Sequence, residues 1–99
     1  MDVAAIALSG IQSAEQRMAA SAHNVANLGS ESFLRLRVVQ SALPGGGVVA
    51  RIESVEIPEE VDIPNEVAAQ IQARTQFIAS LRALAANRDL QGSLLDLFV

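Results

Sequence analysis

The chain has 99 residues, carries a net charge of −4 and contains no cysteine. A chain of this length forms one small domain with a simple core, and the lack of cysteine excludes a disulfide framework, a thiolate nucleophile and a sulfur-ligated metal. Hydrophobic residues make up 51% of the sequence, yet the aromatic residues are only Phe33, Phe77 and Phe98. Such a composition is typical of closely packed helices, so we expect a mainly α fold.

The charges and the hydropathy pattern argue against two classes of partner. All seven basic residues are arginines, and they are scattered along the sequence, which argues against a nucleic acid partner. No stretch approaches the ~20 apolar residues of a membrane span, and the N-terminus lacks the pattern of a secretory signal peptide. We therefore expect no nucleic acid binding, no membrane insertion and no cleaved signal peptide.

The first predicted element is a helix over residues 3–28. At 1.5 Å per residue it is about 35–40 Å long, too long for a short hairpin to cover, so it needs a second helix as a partner. Gly10 disfavours a helix by about 1 kcal/mol relative to alanine. Either the helix begins after Gly10 or a close neighbour uses the missing side chain. The apolar residues recur at intervals of three and four, which indicates one helical stripe: Ala4, Ala7, Leu8, Ile11, Ala14, Met18, Ala22 and Val25.

A β-hairpin is predicted over residues 33–57. Apolar residues alternate with other residues in two runs, one containing Leu36 and Val38 and one containing Ala50 and Ile52, and this period is typical of strands. The Pro-Gly-Gly-Gly sequence at 44–47 forms the turn, since it lacks the Gly-Lys-Ser/Thr ending and the following helix of a phosphate-binding loop. An isolated hairpin is marginal in water, so this one should pack on a helix.

An acidic linker over residues 58–64 is predicted to lead into the second helix. The segment from residue 53 to residue 66 contains six acidic residues and no basic residue. Asp62 is placed to cap the helix, Pro64 falls in the first turn, and Glu66 favours the positive end of the helix dipole. The spacing of the acids matches no EF-hand loop, so we expect no metal here.

The second helix is predicted over residues 65–97. Three arginines, Arg74, Arg82 and Arg88, interrupt its apolar pattern. We interpret them as solvent-facing charges whose methylene stems cover apolar neighbours, with an acidic coiled-coil partner as the alternative. One apolar stripe contains Val67, Ile71, Ile78, Leu81 and Ala85, and it is widened by Phe77, Leu84, Leu94, Leu95 and Phe98.

The sequence offers little support for catalysis. His23 is the only histidine, and near a helix C-terminus an imidazole usually interacts with the dipole or caps a carbonyl. Zinc would need further nitrogen or sulfur donors. We predict no enzyme, no catalytic residue, no cofactor and no metal. A small hydrolase dependent on His23 stays open as a third hypothesis, because a triad can be assembled from distant residues.

Residues 24–33 resemble a signature of the flagellar rod and hook proteins. That signature reads Asn-Ile-Ala-Asn, two variable residues, then Thr-Pro-Gly-Tyr and a basic residue. Here Asn24, Ala26 and Asn27 match it outright, and Val25, Ser30 and Phe33 are near-equivalents of its isoleucine, threonine and tyrosine. The sequence departs from the signature at Glu31, Ser32 and Leu34, which replace the proline, the glycine and the basic residue.

The rest of the chain resembles the same family. Val-Asp-Ile at 61–63 and the apolar helix that follows are similar to the family's C-terminal pattern, and Ser-Leu-Leu-Asp-Leu at 93–97 is similar to its leucine-rich close. The middle segments, 35–39 and 47–52, are most like a shortened proximal rod protein. The resemblance covers nearly the whole chain, and the order and spacing of the motifs carry it.

The resemblance implies a single domain over residues 1–99, in which the two terminal helices form an antiparallel coiled coil with the hairpin between them. It implies a structural subunit of the bacterial flagellar basal-body rod, in the periplasm after type III export. The partners would be copies of itself and other axial proteins. The alternative is a non-polymerising adaptor or regulator that binds one axial component. The position in the rod, the neighbouring subunits, the oligomeric state and the order of the helices before assembly stay open.

Two sets of residues would carry this function. The motif and turn residues are Asn24, Val25, Ala26, Asn27, Ser30 and Phe33. The helix-packing and assembly residues are Ile11, Met18, Val25, Val67, Ile71, Phe77, Ile78, Leu81, Leu94 and Leu95. Among these, Phe33 and Phe77 are expected to anchor the hairpin to the helices.

Overall fold

The computed structural model describes residues 2–30 and 33–98, and in these ranges two helices flank one hairpin. The elements are α1 (Val3–Ala26), β1 (Leu36–Ala42), β2 (Val48–Ser54) and α2 (Ile63–Phe98). The two helices pack against each other, and the strands pair antiparallel. The predicted mainly α fold with a short hairpin between two packed helices is confirmed. Glu31 and Ser32, two positions that depart from the flagellar signature, lie outside the described residues.

Helices α1 and α2 run antiparallel. Gly10, in the first half of α1, faces Ser80 of α2, while Asn24 at the other end of α1 hydrogen bonds to Glu66 in the first turn of α2. The helix runs through Gly10, and a Cβ added there would collide with the hydroxyl of Ser80. A close neighbour therefore uses the missing side chain, which was one of the two explanations left open for this glycine.

An aspartate caps the start of each helix. The carboxylate of Asp2 accepts a hydrogen bond from the backbone N–H of Ala5 at 2.7 Å, and the carboxylate of Asp62 accepts one from the backbone N–H of Asn65 at 3.3 Å. Such caps pair N–H groups that have no partner inside the helix. Because its cap is Asp62, α2 begins at Ile63, within the segment expected to be linker. Helix α1 ends at Ala26, slightly before the predicted end.

The hairpin has the expected glycine turn. Leu36 pairs with Ser54 at the open end, and near the turn the backbone N–H of Leu43 donates to the carbonyl of Gly47 at 3.0 Å. All three turn glycines, 45–47, have positive φ, with values of 85°, 104° and 92°. This is the left-handed region that glycine adopts without strain.

Charged pairs decorate the hairpin. Arg37 lies directly across from Glu53 and forms an ion pair with it at 3.1 Å, and Arg51 hydrogen bonds to the same carboxylate. The guanidinium of Arg51, assisted by that of Arg37, lowers the pKa of Glu53 below its usual value. These exposed pairs support the register but add little to stability.

The hairpin packs on α1, as expected for a hairpin that needs a helix. The backbone N–H of Val48 donates to the hydroxyl of Ser9 at 3.1 Å, and the hydroxyl of Ser13 donates to the side chain of Gln40. Ile6 reaches the turn at Gly46. The hairpin is thereby fixed on the N-terminal helix.

The core of the molecule is built from small side chains. Its buried apolar residues are Ala7, Ala14, Ala20, Val55 and Ala73. The molecule is elongated, with extents of 63 × 24 × 14 Å, so most larger side chains lie near the surface. Hydrophobic stabilisation scales with buried apolar area. Because small side chains bury little area, this core stabilises the fold only modestly.

Candidate functional site

The first asparagine of the flagellar-like signature joins three segments of the chain. The side chain of Asn24 is buried, with 2% of the residue exposed. Its amide donates to the carbonyl of Leu36 at 2.9 Å and to the carboxylate of Glu66 at 3.1 Å, while its oxygen accepts from the backbone N–H of Leu36 at 2.7 Å. Asn24 therefore fixes the end of α1 to the start of β1 and to the first turn of α2.

Glu66 is the second buried polar residue of this junction. Beside its bond to Asn24, its carboxylate lies 3.9 Å from the guanidinium of Arg35, which also pairs with Glu59 at 3.3 Å. The hydroxyl of Ser21 donates to the backbone carbonyl of Glu66 at 3.1 Å. A buried acid is costly unless it is paired, so this network is specific to one arrangement of the helices and the hairpin.

Sequence reasoning selected Asn24 but missed its partners. The sequence indicates only a helix-dipole role for Glu66, and Arg35 lies without an assigned role in the predicted hairpin region. The bonds of Asn24 to Leu36 and Glu66 cross 12 and 42 residues of sequence, and no local pattern shows such a connection. Asn24 is a polar residue on the face of α1 that carries small residues. Because buried polar groups are hydrogen-bonded, this position is the signal that could have indicated a distant partner.

The other signature residues shape the exit from α1. The amide of Asn27 donates to the carbonyl of His23 at 2.8 Å, and the N–H of Ser30 donates to the carbonyl of Asn27 at 3.0 Å. The rings of His23 and Phe33 are 5.5 Å apart, so Phe33 packs on the end of α1. In contrast to Asn24, Val25 and Ala26 are exposed.

An open groove of about 570 Å³ lies beside this exit. It is bounded on one side by residues 27–30 and Phe33, and on the other by residues 58–61, which include Glu59 and Glu60. The outer part of the signature thus faces an open surface with an acidic wall.

The contacts between α1 and α2 are made by small and polar side chains. Ala14 and Ala73 are fully buried, and Gly10 packs against Ser80. The amide of Gln76 donates to the backbone carbonyl of Gly10 at 3.1 Å. Small residues let the two helix axes approach closely, and within the described ranges the buried apolar residues of both helices are alanines.

A stripe of larger aliphatic residues on α2 lies beside the face that meets α1, about a quarter turn around the helix. Val67, Ile71 and Leu81 are 48%, 61% and 47% exposed, and Ile78 is half-buried. Together with Arg74 these positions alternate intervals of four and three residues, which is the heptad spacing of a helix that packs against another helix. We call Val67, Ile71, Arg74, Ile78 and Leu81 the outer stripe. Since α1 packs on a different face, the outer stripe has no covering helix within the described part of the protomer.

Helix α2 also extends past the start of α1. Gly10 lies opposite Ser80, α1 begins at Val3, and α2 continues to Phe98. At 1.5 Å per residue, α2 continues for about 16 Å beyond the level of Val3. The side chains from 88 to 97 are all exposed, and they include Leu90, Leu94, Leu95 and Leu97.

The predicted packing residues therefore occupy two kinds of position. The face of α1 that meets α2 follows a heptad of small and polar residues, Ala7, Gly10, Ala14, Ser21 and Asn24, and this pattern could have identified it. Among the predicted residues, Ile11, Met18, Phe77 and Ile78 are half-buried, whereas Val25, Val67, Ile71, Leu81, Leu94 and Leu95 are exposed.

The described residues hold neither a metal-binding cluster nor a membrane-spanning helix. Among the described residues, no three His, Asp or Glu side chains are grouped to hold a metal ion. Neither helix, over its described length, combines the length and the apolarity of a membrane-spanning segment. The features that remain are the polar junction, the outer stripe and the extension of α2.

Comparison with known proteins yields no family model and no curated protein that matches this chain.

Proposed function

We propose that this protein is a structural subunit of the bacterial flagellar basal-body rod that assembles through its terminal helices. The observation that carries the proposal is the uncovered outer stripe of α2. Within the protomer, the helices pair through small and polar residues, while Val67, Ile71 and Leu81 remain exposed. Contiguous exposed apolar surface on a soluble protein marks an interaction site.

The elongated shape supports side-by-side assembly. Neighbouring copies would cover the outer stripe. If the rotation between successive copies does not close a ring, these contacts repeat and build a helical array. The resemblance of residues 24–33 to the flagellar signature also supports the proposal. In this segment Asn24 and Asn27 fix the path of the chain as it leaves α1. In this proposal the protein has no catalytic role, its partners are copies of itself and other axial proteins, and it acts in the periplasm.

The alternative is an adaptor that binds one axial component without polymerising. The connection between the helices favours this candidate, since its regular structure is two strands of seven residues each and its described residues form no large projecting domain. An adaptor would cover the outer stripe with a single partner and would reach a fixed size.

The proposal is tested by charging the outer stripe. We expect the purified protein to grow without a fixed size as its concentration rises, in sedimentation velocity and in electron micrographs. Replacing the exposed residues Val67→Asp and Ile71→Asp together should raise the concentration needed for growth by more than about tenfold, because each lost apolar contact is worth about 1.5–3 kcal/mol.

The matched control is Ala79→Asp with Ala83→Asp. These residues are also exposed and four positions apart, on another face of α2, so this variant should grow like the unaltered protein. Growth retained by the Val67/Ile71 variant would overturn the proposal. An unaltered protein that stops at a fixed size would also overturn it and would favour the adaptor.

A further inference from the structure

Two opposite charges on α2 lack partners within the described residues. Arg82 and Asp89 are exposed and lie seven residues apart, hence on one face of the helix. No residue of opposite charge stands three or four positions from either of them, so neither belongs to the usual intrahelical pairs. The ion pairs found in the described ranges involve other residues.

A heptad row of apolar and small residues runs beside these charges. It continues the outer stripe through Ile78, Leu81, Ala85, Arg88, Gly92 and Leu95. The row lies about a quarter turn around α2 from the face that meets α1, so a further helix has room to approach. We call residues 78–95 of α2 the distal segment.

Gly92 leaves a gap in this row. A Cβ built on Gly92 meets nothing within 4 Å, so no neighbour among the described residues explains why a residue that costs about 1 kcal/mol in a helix stands there. A glycine in a heptad row provides a hole into which a large side chain of a partner helix can insert.

We propose that the distal segment forms an antiparallel, two-fold symmetric coiled coil with the distal segment of a second copy. In the register that pairs opposite charges, Arg82 of each copy faces Asp89 of the other. The same register places Leu81 against Gly92 and Ile78 against Leu95 of the second copy, each pair occurring twice by symmetry. The small Ala85 faces Arg88, whose methylene stem has room to lie across it.

The charges and the glycine select the antiparallel orientation and a second copy as the occupant. In a parallel, in-register pair, Gly92 would face Gly92 and leave a void, and Arg88 would face Arg88 and repel it. In the antiparallel pair, one large residue meets each glycine and every Arg82 meets an acid. This complementarity of the segment with itself points to a copy of the same chain as the partner.

The dimer does not depend on the proposed function. Val67 and Ile71 would lie beyond the end of the paired segment, so they are free in the dimer. A reciprocal contact closes on itself and covers Ile78 and Leu81 of the outer stripe, so the dimer competes with open-ended growth. We therefore expect it to hold subunits apart from the growing array.

Sedimentation equilibrium of the full chain over a concentration series tests the dimer, in the Val67→Asp/Ile71→Asp background so that growth does not interfere. Arg82→Asp alone and Asp89→Arg alone should each weaken dimerisation by about tenfold, because each turns two attractions into repulsions. The double variant should restore it. A protein that stays monomeric throughout, or a double variant no better than the single ones, would overturn the proposal.

Two further variants separate a dimerisation defect from a folding defect. Gly92→Leu fills the hole and should weaken the dimer by about tenfold, while helicity is retained because leucine favours the helix. Since the chain has no cysteine, oxidation of Ile78→Cys mixed with Leu95→Cys should give a disulfide between the two variants. Cross-links formed only within each single variant would show a parallel pair and would refute the register.

Failure of the dimer and failure of the proposed function are distinguishable. Loss of growth in the Val67/Ile71 variant with no dimer in that background supports assembly and refutes the dimer. A dimer with the expected charge dependence, formed by a protein that never grows further, supports the inference and refutes the rod subunit.

Discussion

At the scale of single residues, Asn24 holds three segments together through one side-chain amide. Its three hydrogen bonds reach both backbone groups of Leu36 and the carboxylate of Glu66. Asn24 is buried in this junction. Water therefore cannot replace it as the hydrogen-bond partner of Leu36 and Glu66 unless the junction opens.

Replacing Asn24 with alanine should lower the free energy of unfolding by about 2–4 kcal/mol, because the backbone groups of Leu36 would lose their side-chain partner and Glu66 would keep only its longer contact with Arg35. Urea unfolding followed by circular dichroism measures the change. Asn27→Ala is the matched control from the same signature. It removes one exposed bond to the carbonyl of His23, so we expect a loss of about 1 kcal/mol or less. Equal losses in the two variants would contradict the role given to Asn24.

The sequence could identify Asn24 as a special position but could not supply its role. The resemblance to the flagellar signature singles out Asn24 and Asn27 equally. Only the structure separates them, because α1 turns Asn24 inward and leaves Asn27 at an open end. Local capping by Asp62 was predictable, since it depends on residues three positions apart.

At the scale of elements, the two interior glycines of the helices have different surroundings. Gly10 lies in the seam, where Ser80 occupies the space of a side chain, while a Cβ built on Gly92 meets no other described residue within 4 Å. Helix propensity alone treats the two positions alike. Their different surroundings therefore result from the close approach of α1 to α2 at Gly10.

Gly10→Leu should destabilise the protein by about 1–3 kcal/mol, because the added side chain forces the helices apart. Gly92→Leu should instead stabilise it by about 1 kcal/mol through helix propensity. Thermal and urea unfolding at low protein concentration, where the dimer is dissociated, measure both. If the Gly10 variant gained stability as the Gly92 variant does, the seam would not be as close as the structure shows.

The helices also show what periodicity cannot separate. The heptad spacing of large aliphatic residues predicted a face of α2 for helix packing and assembly, and on that face Val67, Ile71 and Leu81 are exposed in the protomer. Two heptad rows lie side by side on this helix. The row with the larger aliphatic residues dominates the hydrophobic periodicity of the sequence. The smaller row meets α1 because small side chains on both helices permit the closer approach.

At the scale of the whole molecule, the difference in helix lengths leaves the end of α2 uncovered. Helix α2 has 36 residues and α1 has 24. The side chains between residues 88 and 97 are all exposed, so this extension contributes little to the stability of the protomer and is available for contacts between molecules.

Removal of residues 89–99 should therefore change the free energy of unfolding by less than about 0.5 kcal/mol, as for surface changes in general. Phe77→Ala is a positive control: Phe77 is half-buried, and its loss should cost about 2 kcal/mol. Urea unfolding at low concentration measures both. A large loss of stability in the shortened protein would show that the extension folds back on the protomer.

The sequence by itself determined the elements of this protein and their order. The helices, the glycine turn and the aspartate caps follow from interactions within a few residues, which composition and spacing record directly. The need for the two helices to pair also followed from their length. The tertiary structure decided which faces meet, because close approach, buried hydrogen bonds and shared space depend on residues distant in sequence. It placed Gly10 against Ser80, buried Asn24 with Glu66 and left the aliphatic row of α2 exposed, and these arrangements carry both the proposed assembly and the proposed dimer.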